Sequence, residues 1–142
     1  MSKILVAVDG SENSDRVIGF LLKNNGGYKD AREIHLLNVQ APIAGVNVKM
    51  FISNDSLNEY YRDEGNAALK RARERLDAAG MQYQHHIGLG EPALVIVEYA
   101  KAKGCEQILM GGRGLGSMTG LVLGSVATKV LHLTDLPVML IK

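Results

Sequence analysis

The chain contains no tryptophan, and aromatic residues fill only 5% of its 142 positions. That scarcity argues against a site built on ring stacking, whether for a flavin or for nucleic acid. Charge of one sign is also missing: the formal net charge is +1 and the pI about 7.9, so no long-range field draws the chain to nucleic acid or lipid. A single cysteine, Cys105, excludes an internal disulfide and suits a reducing cytosol. Placed just before an apolar strand, it reads as a small core or boundary residue. No apolar run approaches the ~20 residues that span a bilayer, and Met1 to Leu5 begins a strand rather than a secretion signal. A cytoplasmic protein with no membrane partner is expected.

What is present suits one compact domain over residues 1–142, with 46% hydrophobic and 22% charged residues. Lys3 to Val8 is a nearly continuous apolar run, the pattern of a strand buried on both faces. Ser11 or Asn13 caps a helix whose apolar face is Val17, Ile18, Phe20, Leu21 and Leu22. Glu33 to Val39 makes a second strand. Gln40 to Ile52 reads as a long irregular loop, a lid or contact surface. The longest helix then runs to about Ala79, with Leu57, Tyr61, Ala68, Ala72, Leu76 and Ala79 as its buried stripe. Its basic residues Lys70, Arg71, Arg73 and Arg75 read as a salt-bridged surface rather than a nucleic-acid patch. Met81 to Ile87 is expected as strand three, Pro92 opens a helix with the face Ala93, Ile96, Val97 and Ala100, and Gln107 to Met110 forms strand four. A last helix and a fifth strand ending at Ile141 follow. His85 and His86 are neighbours on a strand and point to opposite faces, and His35 lacks a partner at ligand spacing, so no metal held by side chains is expected.

Alternating strands and helices demand a doubly wound α/β domain, with a parallel sheet covered on both faces. Ligands in such folds sit beyond the carboxyl ends of the strands, where Asp9 and Gly111 fall. Between strand four and the last helix runs GGRGLGSMTGLVLGS, from Gly111 to Ser125. A glycine-rich turn feeding a helix N-terminus is suited to phosphate, because backbone N–H groups can approach it closely. Two common cradles fail. Gly111 and Gly116 have the P-loop separation, but Ser117 and Met118 follow where Lys and Ser or Thr belong; Gly114 and Gly116 begin a dinucleotide fingerprint, but Thr119 ends it. The spacing that remains is Gly111-x-x-Gly114, nine residues, then Gly124-Ser125.

That spacing resembles the nucleotide-binding signature of the universal stress protein family, and the resemblance extends over the chain in KILVAVDGSENS, HLLNV, GEPALVIVEYA and the final third. It implies a Rossmann-like sheet of order 3-2-1-4-5 and a homodimer paired through the last strand, Val138 to Ile141, in bacterial stress adaptation. It further implies ATP, or ADP or AMP, as ligand. By position, Asp9 would lie near adenine and ribose, with Ala7, Val39 and Met110 around the base. Gly111 and Gly114 would approach ribose and phosphates, with Gly112 beside them, and Gly124, Ser125 and Val126 would cradle the phosphates. Ala127 replaces a hydroxyl residue seen in some relatives.

The residues' own chemistry is compatible. Asp9, acceptor-only when ionised, suits an adenine amine, a ribose hydroxyl or a hydrated Mg²⁺, or else it shapes the turn before the first helix. Arg113 is the only cation in the loop and faces either phosphate or water. Ser125 is expected as both helix cap and phosphate ligand. No catalytic triad, carboxylate pair or water-positioning glutamine is assignable, so a regulatory binding module with at most slow hydrolysis is expected rather than an enzyme. The main alternative is a dimeric interaction module, with an unidentified protein partner, that binds no nucleotide. A flavodoxin-like or phospho-receiver protein fits less well: stacking aromatics are scarce, and Ile87 to Gly90 offers no acceptor aspartate.

Overall fold

The computed structural model describes residues 2–25, 32–42, 54–113 and 123–142, without the side chains of residues 25 and 54–58. Nine elements alternate: β1 (Lys3–Ala7), α1 (Glu12–Asn25), β2 (Glu33–Gln40), α2 (Asn54–Ala78), β3 (Gln84–Leu89), α3 (Pro92–Ala102), β4 (Gln107–Gly111), α4 (Ser125–Leu133) and β5 (Val138–Ile141). All four strand pairings are parallel and the sheet order is β3-β2-β1-β4-β5. The order expected from the sequence is the order found. β1 and β4 are neighbours, with Ala7 opposite Met110, so the two motifs at their carboxyl ends share one crevice.

Alternation along β1 divides the core. Ile4, Val6 and Val8 pack with Val17, Ile18 and Leu21 of α1 and with Leu69, Ala72 and Leu76 of α2. Leu5 joins Ala93, Ile96, Val97 and Ala100 of α3 and Ala127 and Val130 of α4 on the opposite face. The sheet is a central layer with α1 and α2 on one side and α3 and α4 on the other. Leu5 and Leu36 are fully buried, so truncating either to alanine would cost about 2–5 kcal/mol.

Three local expectations shift. The third strand lies at Gln84–Leu89 instead of Met81 to Ile87. Its start is set by the closure of α2, where the Met81 N–H donates to Leu76 O, and its end by pairing with β2 as far as Gln40↔Leu89. Met81 and Tyr83 pack onto the core from the turn between them. In α2 the buried stripe is Tyr61, Gly65, Leu69, Ala72 and Leu76; Ala68 is half-buried, Ala79 is exposed, and Leu57 lies outside the described side chains. The basic cluster of α2 is surface, as expected, but its main partner lies on another helix. Asp15 of α1 accepts from Arg71 Nε and Arg75 Nη1, each at 2.8 Å, which holds the two helices in register. From residue 43 on, the expected loop of residues 40–52 lies outside the described residues.

Candidate functional site

A cleft of about 370 Å³ opens at the carboxyl ends of β1 and β4, on the α3–α4 side of the sheet. Its floor is apolar because the ends of β1, β2 and β4 present Ala7, Leu37, Val39 and Met110 to one face. Pro92 and Ile96 from the start of α3 form one wall. Gly111, Gly112, Arg113, Gly124, Ser125, Val126 and Ala127 form the other, and Val8, Asp9 and Ser14 complete the lining. Ten of the residues singled out in the sequence (Ala7, Asp9, Val39, Met110, Gly111, Gly112, Arg113, Gly124, Ser125 and Val126) therefore line one cavity. Gly114 lies outside the described residues.

The polar end is organised by two strand-to-helix turns. In the first, the Ser11 N–H donates to Asp9 Oδ1 at 3.0 Å and the Ser14 hydroxyl donates to the same oxygen at 2.7 Å. The Asp9 N–H donates to Ser14 Oγ, and the Ser14 N–H to Ser11 Oγ at 3.1 Å. Ser11 is thus the cap of α1, and Asp9 shapes the turn while bordering the cleft. Gly10 completes it with φ +83°, a conformation that disfavours any side chain.

In the second turn, the Gly112 N–H donates to Ile141 O at 2.9 Å, and the Gly124 N–H donates to Gly112 O at 2.6 Å. These bonds tie the end of β4 to β5 and to the start of α4. The cap of α4 is Gly124, with no side-chain bond to the helix's first turn, and Ser125 is the first helical residue. The expectation that Ser125 itself caps is corrected: the Gly124 carbonyl already accepts from the Thr128 N–H and hydroxyl, both at 3.0 Å, so Gly124 takes the cap position and Ser125 falls inside the helix. The first-turn N–H groups of α4 are left without a capping side chain next to the cavity, and no acidic side chain stands in that turn. Such an end attracts anions.

Five lining groups lie beyond the site residues expected from the sequence. Val8, beside Asp9 at the end of strand one, and Leu37, two residues before Val39 on the same strand face, were legible. Ser14, Pro92 and Ile96 were not, since they reach the cleft only through packing. Asn13, which does not line the cleft but ties its wall, was not legible in that role either. The exposed Lys129 pairs with Glu91 Oε1 at 3.6 Å, linking α4 to the cap of α3. Glu91 caps α3 by accepting from the Leu94 N–H, and that bond holds its carboxyl below the usual range.

Elsewhere, His35 does find a partner, though not a metal set. Its Nδ1 lies 3.1 Å from His86 Nε2 and its Nε2 lies 3.0 Å from Glu33 Oε1. Burial, with Lys103 nearby, lowers the pKa of His86 from the ordinary histidine value. No group of three or more metal-ligating side chains occurs among the described residues. Cys105 is buried, and burial pushes its thiol up, away from reactive thiolate. No helix of the described residues is long and apolar enough to cross a membrane.

Known proteins share this architecture. Universal stress protein YxiE of Bacillus subtilis is 28% identical over 148 aligned positions, covering 99% of both chains. The solved structure of MJ0577, from Methanocaldococcus jannaschii, superposes with a TM-score of 0.84 at 26% identity, covering 99% of this chain and 95% of that one. Two more distant structures share the fold. One is an Arabidopsis thaliana family protein with AMP bound (TM-score 0.70, 22% identity, 100% of this chain and 92% of that one). The other is an Archaeoglobus fulgidus universal stress protein in complex with dAMP (TM-score 0.63, 23% identity, 100% of this chain and 98% of that one). The sequence profile described as the Universal stress protein family matches residues 1–142, and the chain belongs to that family.

Proposed function

We propose that this protein is an adenine-nucleotide-binding regulatory module that serves the stress response from the cytoplasm. The observation that carries the reading is one cavity with two unlike ends: an apolar slot over Ala7, Val39 and Met110, and a helix N-terminus with no capping side chain at Gly124–Ser125. A base needs the first and a phosphate the second. AMP and dAMP in two structures of the same fold support the choice of adenine. ATP would set its outer phosphates near Arg113 and the start of α4. Accompanying Mg²⁺ would be held by phosphate oxygens and water, with Asp9 the carboxylate among the described lining residues.

We assign binding rather than turnover. Among the described residues, the polar side chains lining the cleft are Asp9, Ser14, Arg113 and Ser125, and Asp9 and Ser14 already bond to each other. The ligand would act by favouring one conformation or partner over another. The same reading makes the whole chain one domain and pairs two copies through β5, a four-residue edge strand with Met139 exposed.

The test begins with protein purified without added nucleotide, denatured and analysed by chromatography, followed by titration of stripped protein with AMP and with ATP and Mg²⁺. Nucleotide near one per chain and a saturable titration are expected. No released nucleotide and no titration signal would overturn the reading in favour of a dimeric interaction module. Robust ATP turnover lost in Asp9→Ala would overturn the assignment of binding alone.

A further inference from the structure

Asn13 stands in the first turn of α1, on the opposite side of the sheet from the cleft's helical walls, yet both ends of its amide are spent on the cleft's glycine wall. Its Nδ2 donates to Ile141 O at 3.0 Å, and its Oδ1 accepts from the Arg113 N–H at 2.8 Å. The residue is only 7% exposed, so neither bond competes freely with water. Room for it depends on Gly111, where an added Cβ would overlap the Asn13 amide. Ile141 O accepts from the Gly112 N–H as well, so one carbonyl of β5 and one side chain of α1 together hold two consecutive residues of the wall, Gly112 and Arg113. Capping α1 is not its role, because Ser11 does that.

We propose that Asn13 is a positioning residue for the phosphate-binding end of the cleft: it sets the orientation of the Gly111–Arg113 backbone, and hence of Gly124 and the start of α4, toward the ligand's phosphate. This rests on the nucleotide reading above. Turning the Arg113 N–H inward onto Oδ1 fixes the direction of the peptide that leads into the glycine stretch. Gly112 O, held in place from the other side, then receives the Gly124 N–H and sets where α4 begins. The base slot owes nothing to this link, since Ala7, Val39 and Met110 are held by strand pairing.

The consequence is a split by ligand rather than a general loss. Adenosine and AMP differ only by the phosphate, and their affinities for wild type, Asn13→Ala and Asn13→Leu can be measured by chemical-shift titration, which also reads weak binding. Asn13→Leu conserves volume and adds no charge, so it serves where the alanine variant leaves a cavity that unfolds the chain. AMP affinity is expected to fall about tenfold in either variant, the worth of one well-placed bond. Adenosine affinity should change less than about twofold. Equal losses for adenosine and AMP, or no loss for either, would overturn the positioning role while leaving the nucleotide reading intact. A wild-type protein that takes up neither would overturn the nucleotide reading itself and this inference with it.

Discussion

The two turns at the carboxyl end of the sheet have the same construction and opposite endings. After β1, the helix that follows is closed by its own residues: Ser11 and Ser14 satisfy the turn with Asp9, and Glu12 and Asp15 place negative charge in the first turn of α1. After β4, the helix begins at a glycine with no side-chain cap and no acid in its first turn. A helix N-terminus carries roughly half a positive charge wherever it occurs. In α1 that charge is answered from within; in α4 it is left facing a cavity. The lesson is that what a first turn omits decides whether a strand–turn–helix unit is left open to an anion.

The largest expected effect comes from filling the open turn. In Gly124→Val the Cβ would lie 3.3 Å from Gly112 O and 3.5 Å from Arg113 Cα, with two further methyls to accommodate. AMP affinity should fall at least about thirtyfold. The backbone at Gly124 (φ −65°, ψ 161°) suits valine, so the chain should still fold. Unchanged affinity by calorimetry would show that the wall is not the site.

Breaking the closed turn should act on stability instead. Ser14→Ala removes a hydroxyl that both accepts from the Asp9 N–H and donates to its carboxylate, at a cost of about 1–2 kcal/mol in urea unfolding. A cost near zero would mean that the turn is held by other contacts.

Giving α4 the acid that α1 already has sharpens the contrast. Ser125→Asp should stabilise the fold by about 0.5 kcal/mol, since it answers the helix's own field. It should also weaken AMP binding about fivefold by meeting phosphate with like charge. Tighter AMP binding together with lower stability would reverse the assignment of α4 as the anion end.

The smallest effect is a pH dependence at α1. The carboxyl of Asp15 is held below its ordinary value, first by the hydrogen bond from Arg71. The native state therefore binds fewer protons than the unfolded chain. The resulting stability is complete above the unfolded value of about pH 4 and fades as pH falls through the folded value. With Asp15 partly exposed, screening limits it to about 1 kcal/mol or less. Asp15→Asn should lose this increment at pH 7, and its stability should converge with that of wild type in acid. Curves that stay parallel down to about pH 2 would rule it out.

Much of this contrast was legible in the sequence. Continuous apolar strands and helical spacing between them pointed to the layered α/β architecture, because binary pattern and period are local properties. The spacing from Gly111 to Ser125 marked the open turn. Less legible were features that exist only through packing. Asn13 reads as one of two possible caps until Gly111 and Ile141 arrive beside it. The spacing on α2 points to Ala68 where Leu69, one position away, is buried, because a helix face is fixed to within a residue only by what it packs against. Ser125 looked like a cap because serine favours that position, but the carbonyl that starts the helix belongs to Gly124.

The central place of β1 also has a meaning in time. Ala7 meets Met110 across the sheet, so about a hundred residues must be synthesised between the two halves of the crevice floor. At about 5–20 residues per second, that interval is roughly 5–20 s. Until it ends, β1 has β2 on one flank and nothing on the other, and no cavity exists for a ligand to enter. Only a chain translated past its fourth strand can be counted by whatever fills the crevice.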